Sequence, residues 1–210
     1  MKTSPLDPIR FIIYRKINMT KSDLSQIARY NIRKANPTLD KTALLVIDMQ
    51  KYFGSIARPI LEKVISLITV CRKRGIKIIY TRHGHRRKND GSMLSKWWGE
   101  LIMYGSEEWE LIDGLDAASE DIIDKNRYNA FHETNLDQRL QSAGIEDIII
   151  SGVMTNCCVE TTARSAFDHD YGVFVVADAC AAANDELHMA TLKNLAYGFA
   201  YIVDTKRMLE

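Results

Sequence analysis

The chain has 210 residues, 46% of them hydrophobic and 26% charged, with a net charge of +1. That size and mix fit one domain with a buried core, and they exclude a disordered chain, a coiled coil and a fibrous repeat. The balanced charge gives no general attraction to nucleic acid or anionic lipid, and no apolar run approaches the roughly 18 residues of a membrane span.

Residues 1–40 carry eight Lys/Arg against three Asp, and their longest apolar run is Phe11-Ile12-Ile13-Tyr14. That run is too short for a secretory core, although an organelle-targeting segment would share the basic character. The stretch reads as a basic arm, flexible or docked on the surface, ahead of a domain over residues 41–210. Four cysteines (Cys71, Cys157, Cys158 and Cys180) without an export signal or a C-x-x-C spacing point to free thiols in the cytoplasm.

From residue 42 the pattern alternates. Thr42–Asp48 is an apolar run of strand length ending in a carboxylate. Pro59–Arg74 has helical spacing and basic residues in its last turn, and Gly75 stops it. Ile76–Tyr80 predicts a second strand and 120–124 a third. Asn135 is placed to cap a helix running to Ala143. Asp147–Val153 predicts a fourth strand, Cys157–Asp170 a helix, Gly172–Ala177 a fifth strand, Asp185–Ala196 a helix capped by Asn184, and Phe199–Val203 a last strand. Doubly apolar strands alternating with helices imply an α/β fold: one doubly wound domain, a six-stranded, mainly parallel sheet with helices on both faces. Residues 83–118, rich in Gly, Arg and Trp, break the rhythm and read as a functional loop or a subunit contact. The aromatic stretch 97–109 predicts self-association into a homo-oligomer.

Open parallel sheets bind ligands beyond the carboxyl ends of their strands. Three groups fall there: Asp48, Lys125, and the Thr155-Asn156-Cys157-Cys158 turn. A thiol in the first turn of a helix meets unpaired N–H groups that favour thiolate, and the same N–H groups can hold an oxyanion. A carboxylate can take the thiol proton, and an ammonium group can hold that carboxylate charged. Taken singly, a buried thiol, a turn-capping Asp and a solvated Lys are equally ordinary.

These residues lie in segments similar to the isochorismatase-like cysteine hydrolase superfamily, in its nicotinamidase-like branch. The segments are LLVIDMQKYF (44–53), DKNRYNAF (124–131), SGVMTNCCVETTARSAF (151–167) and LKNLAYGFAYIVD (192–204), the last resembling plant members. The resemblance implies catalytic roles for Asp48, Lys125 and Cys158. It also implies a cis bond between Val153 and Met154, with the N–H groups of Met154 and Cys158 as oxyanion hole. Phe53, Trp97, Tyr128 and Phe131 become candidate substrate walls. The implied reaction is hydrolysis of a small-molecule amide through a thioester, without a required cofactor.

Metal-dependent nicotinamidases carry Asp-x-His after the second strand. Here His83-Gly84-His85 stands in that place, and the next histidine is His132. His83 and His85 are therefore weak candidates for a divalent metal, and a ureido or N-carbamoyl substrate becomes an alternative. Vinyl ether hydrolysis would need the Asp but no sulfur, and a papain-like pair would use His132 or His169. A nucleotide-binding module is disfavoured, because Met49-Gln50-Lys51 follows the first strand and no glycine-rich phosphate loop is present.

Overall fold

The computed structural model describes residues 21–118 and 121–209. The first twenty residues of the expected basic arm, and Glu120 of the expected third strand, lie outside them. Six strands form one all-parallel sheet in the order β3-β2-β1-β4-β5-β6: β1 Thr42–Ile47, β2 Lys77–His83, β3 Ile122–Lys125, β4 Asp147–Val153, β5 Gly172–Ala181 and β6 Tyr201–Val203. The helices are α1 Lys21–Ala28, α2 Gly54–Ala57, α3 Leu61–Lys73, α4 Ser92–Trp98, α5 Leu136–Ser142, α6 Glu160–Asp168, α7 Asp185–Gly198 and α8 Thr205–Leu209. Helices α3 and α8 pack together over β5, while α6 and α7 pack together with α1 behind α7. The strand order reverses between β1 and β4, the point at which an open parallel sheet forms its crevice.

Burial on both faces explains the sheet. Every residue of β1 is buried, and so are the last six of β4, as expected for central parallel strands. Helix α3 ends as its sequence implies: Gly75 takes φ +69°, and the N–H of Ile76 reaches back to the Cys71 carbonyl at 2.9 Å. The Asn184 side chain caps α7 by accepting from the Leu187 N–H at 2.9 Å. Asn135 makes no such bond at the start of α5. There the Thr134 hydroxyl accepts from the Leu136 N–H at 3.2 Å instead.

Two departures from the expected strands matter for the site. Strand β2 runs three residues further, to His83, and β5 four further, to Ala181. Both extensions lie at the carboxyl edge, where the crevice opens. Gly152 is the close-packing point between the central strands. It has φ +115°, and a Cβ there would meet the Ile47 carbonyl oxygen of β1 at 2.1 Å.

The segment 83–118 is not irregular throughout, since it contains α4 and folds back over the sheet edge. Trp109 is buried, with the Arg82 guanidinium 3.4 Å over its ring. Gln50 ties this segment down. Its amide donates to the carbonyls of His83 and Trp109 and accepts from the His83 N–H. Between residues 21 and 40, Ile27 is buried, and the Asn31 side chain bonds both the carbonyl and the N–H of Ile202 on β6.

Candidate active site

Asp48 follows β1 directly and takes φ +47°, a left-handed conformation that costs an L-residue free energy and turns its side chain back toward the sheet. It is fully buried. One carboxylate oxygen accepts from the Thr81 hydroxyl at 2.6 Å, and the other accepts from Lys125 Nζ at 2.7 Å. Lys125, the last residue of β3, uses all three of its donors here. Besides Asp48, it reaches the Arg127 carbonyl at 3.0 Å and Cys158 Sγ at 3.4 Å. The strand register pairs Lys125 with His83 and Ile47 with Gly152, so the ends of β1, β2, β3 and β4 converge on one point.

Cys158 sits in a π-type turn, Thr155–Val159, between β4 and α6. The Val153–Met154 peptide bond is cis, and the Met154 carbonyl accepts from the N–H groups of Cys157 and Val159 at 3.0 and 3.2 Å. The Thr155 hydroxyl is 2.8 Å from Nδ1 of buried His188 on α7, which anchors the turn from behind.

The electrostatics correct one expectation. The start of a helix is expected to favour thiolate, yet the Cys158 thiol is held well above its ordinary range. Burial is the largest cause. Lys125 pulls the other way, and Asp48 adds to the rise by its charge and by accepting the S–H. For Lys125, burial opposes the charge, but Asp48 and then Cys158 outweigh it and the ammonium form is favoured. The resting site thus holds Cys158 as a thiol and Lys125 as an ammonium group.

Above Cys158 lies a cavity of about 70 Å³ lined by Tyr52, Phe53, His83, Leu94, Trp98, Glu100, Leu101, Ile102, Tyr128, Met154, Cys157 and Cys158. Of the candidate substrate walls, Phe53 and Tyr128 line it. Trp97 does not. It is 76% exposed on the outer side of α4, whereas Trp98, one residue on and about 100° around the helix, faces the cavity and donates to the Tyr128 hydroxyl at 2.6 Å. Phe131 also lies away from the cavity, stacked on His169 with ring centroids 4.8 Å apart. His132 pairs with Glu133 near the surface, and neither His132 nor His169, the two bases a papain-like pair would use, lines the cavity.

His83 and His85 face each other through Nε2 at 3.3 Å, and His85 Nδ1 is 2.7 Å from an Asp90 carboxylate oxygen. Burial, reinforced by Lys125, lowers His83 to about 3 and keeps it neutral. Among the described residues no group of three His, Cys, Asp or Glu could hold a metal ion. A two-imidazole pair does not fit the ligand count of a catalytic metal centre.

Sequence reasoning missed Thr81, Gln50, Trp98 and Glu100. Thr81 had a legible signal, a polar residue inside an apolar strand that ends at the active edge. The other three depend on how segment 83–118 folds back.

The isochorismatase domain model matches residues 42–207. The chain belongs to the isochorismatase family. A curated relative of this hydrolase, nicotinamidase 3 from Arabidopsis thaliana, is 43% identical over 188 residues, covering 88% of this chain and 95% of that one. The ureidoacrylate amidohydrolase RutB of Acinetobacter baylyi is 31% identical over 200 residues, covering 80% and 82%. Among solved structures, a cysteine hydrolase from Pseudomonas syringae pv. phaseolicola 1448A superposes with a TM-score of 0.79 at 27% identity, covering 84% of this chain and 94% of that one. The six-stranded parallel α/β architecture is therefore the family's own.

Proposed function

We propose that this isochorismatase-family hydrolase is a cysteine amidase that cleaves a small, flat, uncharged carboxamide of the nicotinamide type through a thioester on Cys158. The observation that carries this reading is the single ammonium group of Lys125, bonded at once to Asp48 Oδ2 and Cys158 Sγ beneath a cavity walled by Phe53, Trp98 and Tyr128.

The chemistry follows from the protonation states. When a substrate carbonyl lies over the sulfur, Cys158 Sγ attacks the carbon as its proton passes to Asp48. The oxyanion is held by the N–H groups of Met154 and Cys158. Collapse breaks the C–N bond, and Asp48 returns the proton to the departing ammonia. Asp48 then takes a proton from water, the hydroxide attacks the thioester, and the proton returns to the sulfur as the acid leaves. Lys125 positions Asp48 through their hydrogen bond and offsets the negative charge that develops on sulfur. A thiol that gives up its proton only at attack stays protonated between turnovers, as burial dictates. The resemblance of the cavity walls to a slot for an aromatic ring supports the nicotinamide class. The reading includes action in the cytosol, and a homo-oligomer contact on the outer face of α4, where Met93 and Trp97 are 62% and 76% exposed.

The decisive experiment is turnover of nicotinamide, pyrazinamide, 3-ureidoacrylate and an N-carbamoyl amino acid, with and without chelator, in the native enzyme and in Cys158→Ser. Ammonia release from the pyridine and pyrazine amides, insensitive to chelator and reduced at least a thousandfold in Cys158→Ser, is expected. Undiminished turnover in the variant overturns the thioester route. Turnover confined to the ureido or carbamoyl compounds overturns the substrate class.

A further inference from the structure

The cavity over Cys158 is unusual in its charge. Its described lining includes one side chain with a net charge, Glu100. His83 is the only titratable base in that lining, and it is neutral. Lys125 lies underneath, fully buried and already paired with Asp48. The cations of the neighbouring segment (Arg86, Arg87 and Lys88) do not contribute to the lining. Glu100 follows α4, and it both lines the cavity and is exposed to solvent, which puts it at the mouth.

We propose that Glu100 is a specificity-determining residue that sorts ligands by charge: it admits uncharged amides, rejects amides bearing a carboxylate, and speeds departure of the acid product. This inference rests on the amidase reading above and deepens it. Hydrolysis turns a neutral carboxamide into a carboxylic acid that is ionised at neutral pH, so each turnover converts a ligand the mouth tolerates into one it repels. A cavity with mainly apolar walls and no free cation in its described lining offers an anion nothing in return for its lost hydration, and like charge at the rim adds a penalty that extends over several ångströms. An enzyme built for a carboxylated substrate needs the opposite arrangement, an Arg or Lys in the lining.

The test compares affinity for nicotinamide and nicotinate, measured by calorimetry in a Cys158→Ala background, where turnover does not intrude. Glu100→Gln and Glu100→Lys are then introduced. The nicotinate-to-nicotinamide affinity ratio is expected to rise about fivefold with Gln and about fiftyfold with Lys. Added salt should raise that ratio in the Glu100 protein and leave the Gln variant unmoved, because screening acts only on a charge that is present. In otherwise native enzyme, inhibition by nicotinate should strengthen in parallel. A ratio and salt response unchanged by Glu100→Gln, in a protein that with Glu100 in place turns over nicotinamide, overturns this inference alone. Failure of nicotinamide to bind in any variant overturns it together with the amidase reading.

Discussion

Asp48 acts on Cys158 in two opposed ways, and the opposition can be measured. Its charge and its acceptance of the S–H both hold the thiol protonated, against the pull of Lys125. Asp48→Asn removes both upward causes and leaves the ammonium beside the sulfur, so the thiol pKa must fall. In the native protein, alkylation by iodoacetamide should be slow at neutral pH and still rising above pH 9, because the thiolate fraction grows until the pH passes the raised pKa. In Asp48→Asn the rate at pH 7 should increase by about tenfold or more, because the thiolate fraction grows about tenfold each time the thiol pKa drops by one. Amide turnover in that variant disappears for want of a proton carrier. A mass-spectrometric time course on Cys158 reads the labelling, and ammonia release reads the turnover. Slower labelling in the variant would mean that Asp48 activates the thiol at rest, contrary to the geometry. The same replacement leaves Lys125 buried without its counter-charge, a change that typically costs about 3–5 kcal/mol of stability.

Helix α4 separates two tryptophans that the linear sequence cannot rank. Trp97 and Trp98 differ by one step of helical rotation, and that step decides which ring faces solvent and which meets Tyr128. Trp98→Ala is expected to raise KM for an aromatic amide by about tenfold, since it removes a wall and the donor that orients the Tyr128 hydroxyl. Trp97→Ala should leave KM within about twofold. Steady-state kinetics on both variants checks the assignment, and equal effects would refute it. The contrast also marks the limit of what is legible in the sequence. Asp48, Lys125 and the Cys158 turn can be read because strand ends of a parallel sheet must share an edge, and apolar runs show where strands end. The walls supplied by residues 94–102 cannot, because their position depends on long-range ties such as Gln50 to His83 and Trp109. Phe131 escapes for a related reason. It follows the strand that carries Lys125, but the chain turns after Asn129, and its ring stacks on His169 at the end of α6.

Across the whole molecule, sheet register and edge geometry together put chemistry in one place. The same strand extensions that lengthen β2 and β5 deepen the crevice over the switch between β1 and β4, so core packing and site construction are one problem. Gly152 belongs to both. It brings β4 hard against β1 at Ile47 and thereby brings the Cys158 turn to Asp48.

The bond pair from Asn31 to Ile202 has a consequence of a different kind. Among the described residues, the Asn31 amide takes the Ile202 backbone groups that a seventh strand would use, so that stretch of the flank is plugged by a side chain instead of another run of backbone. Asn31→Ala would leave that flank as a template for foreign strands. It should cost about 1–2 kcal/mol in denaturant titration, speed deuterium uptake at the Ile202 amide, and promote turbidity on warming with catalytic constants untouched. Unaltered uptake at Ile202 would mean that the flank is guarded by something other than this one carboxamide.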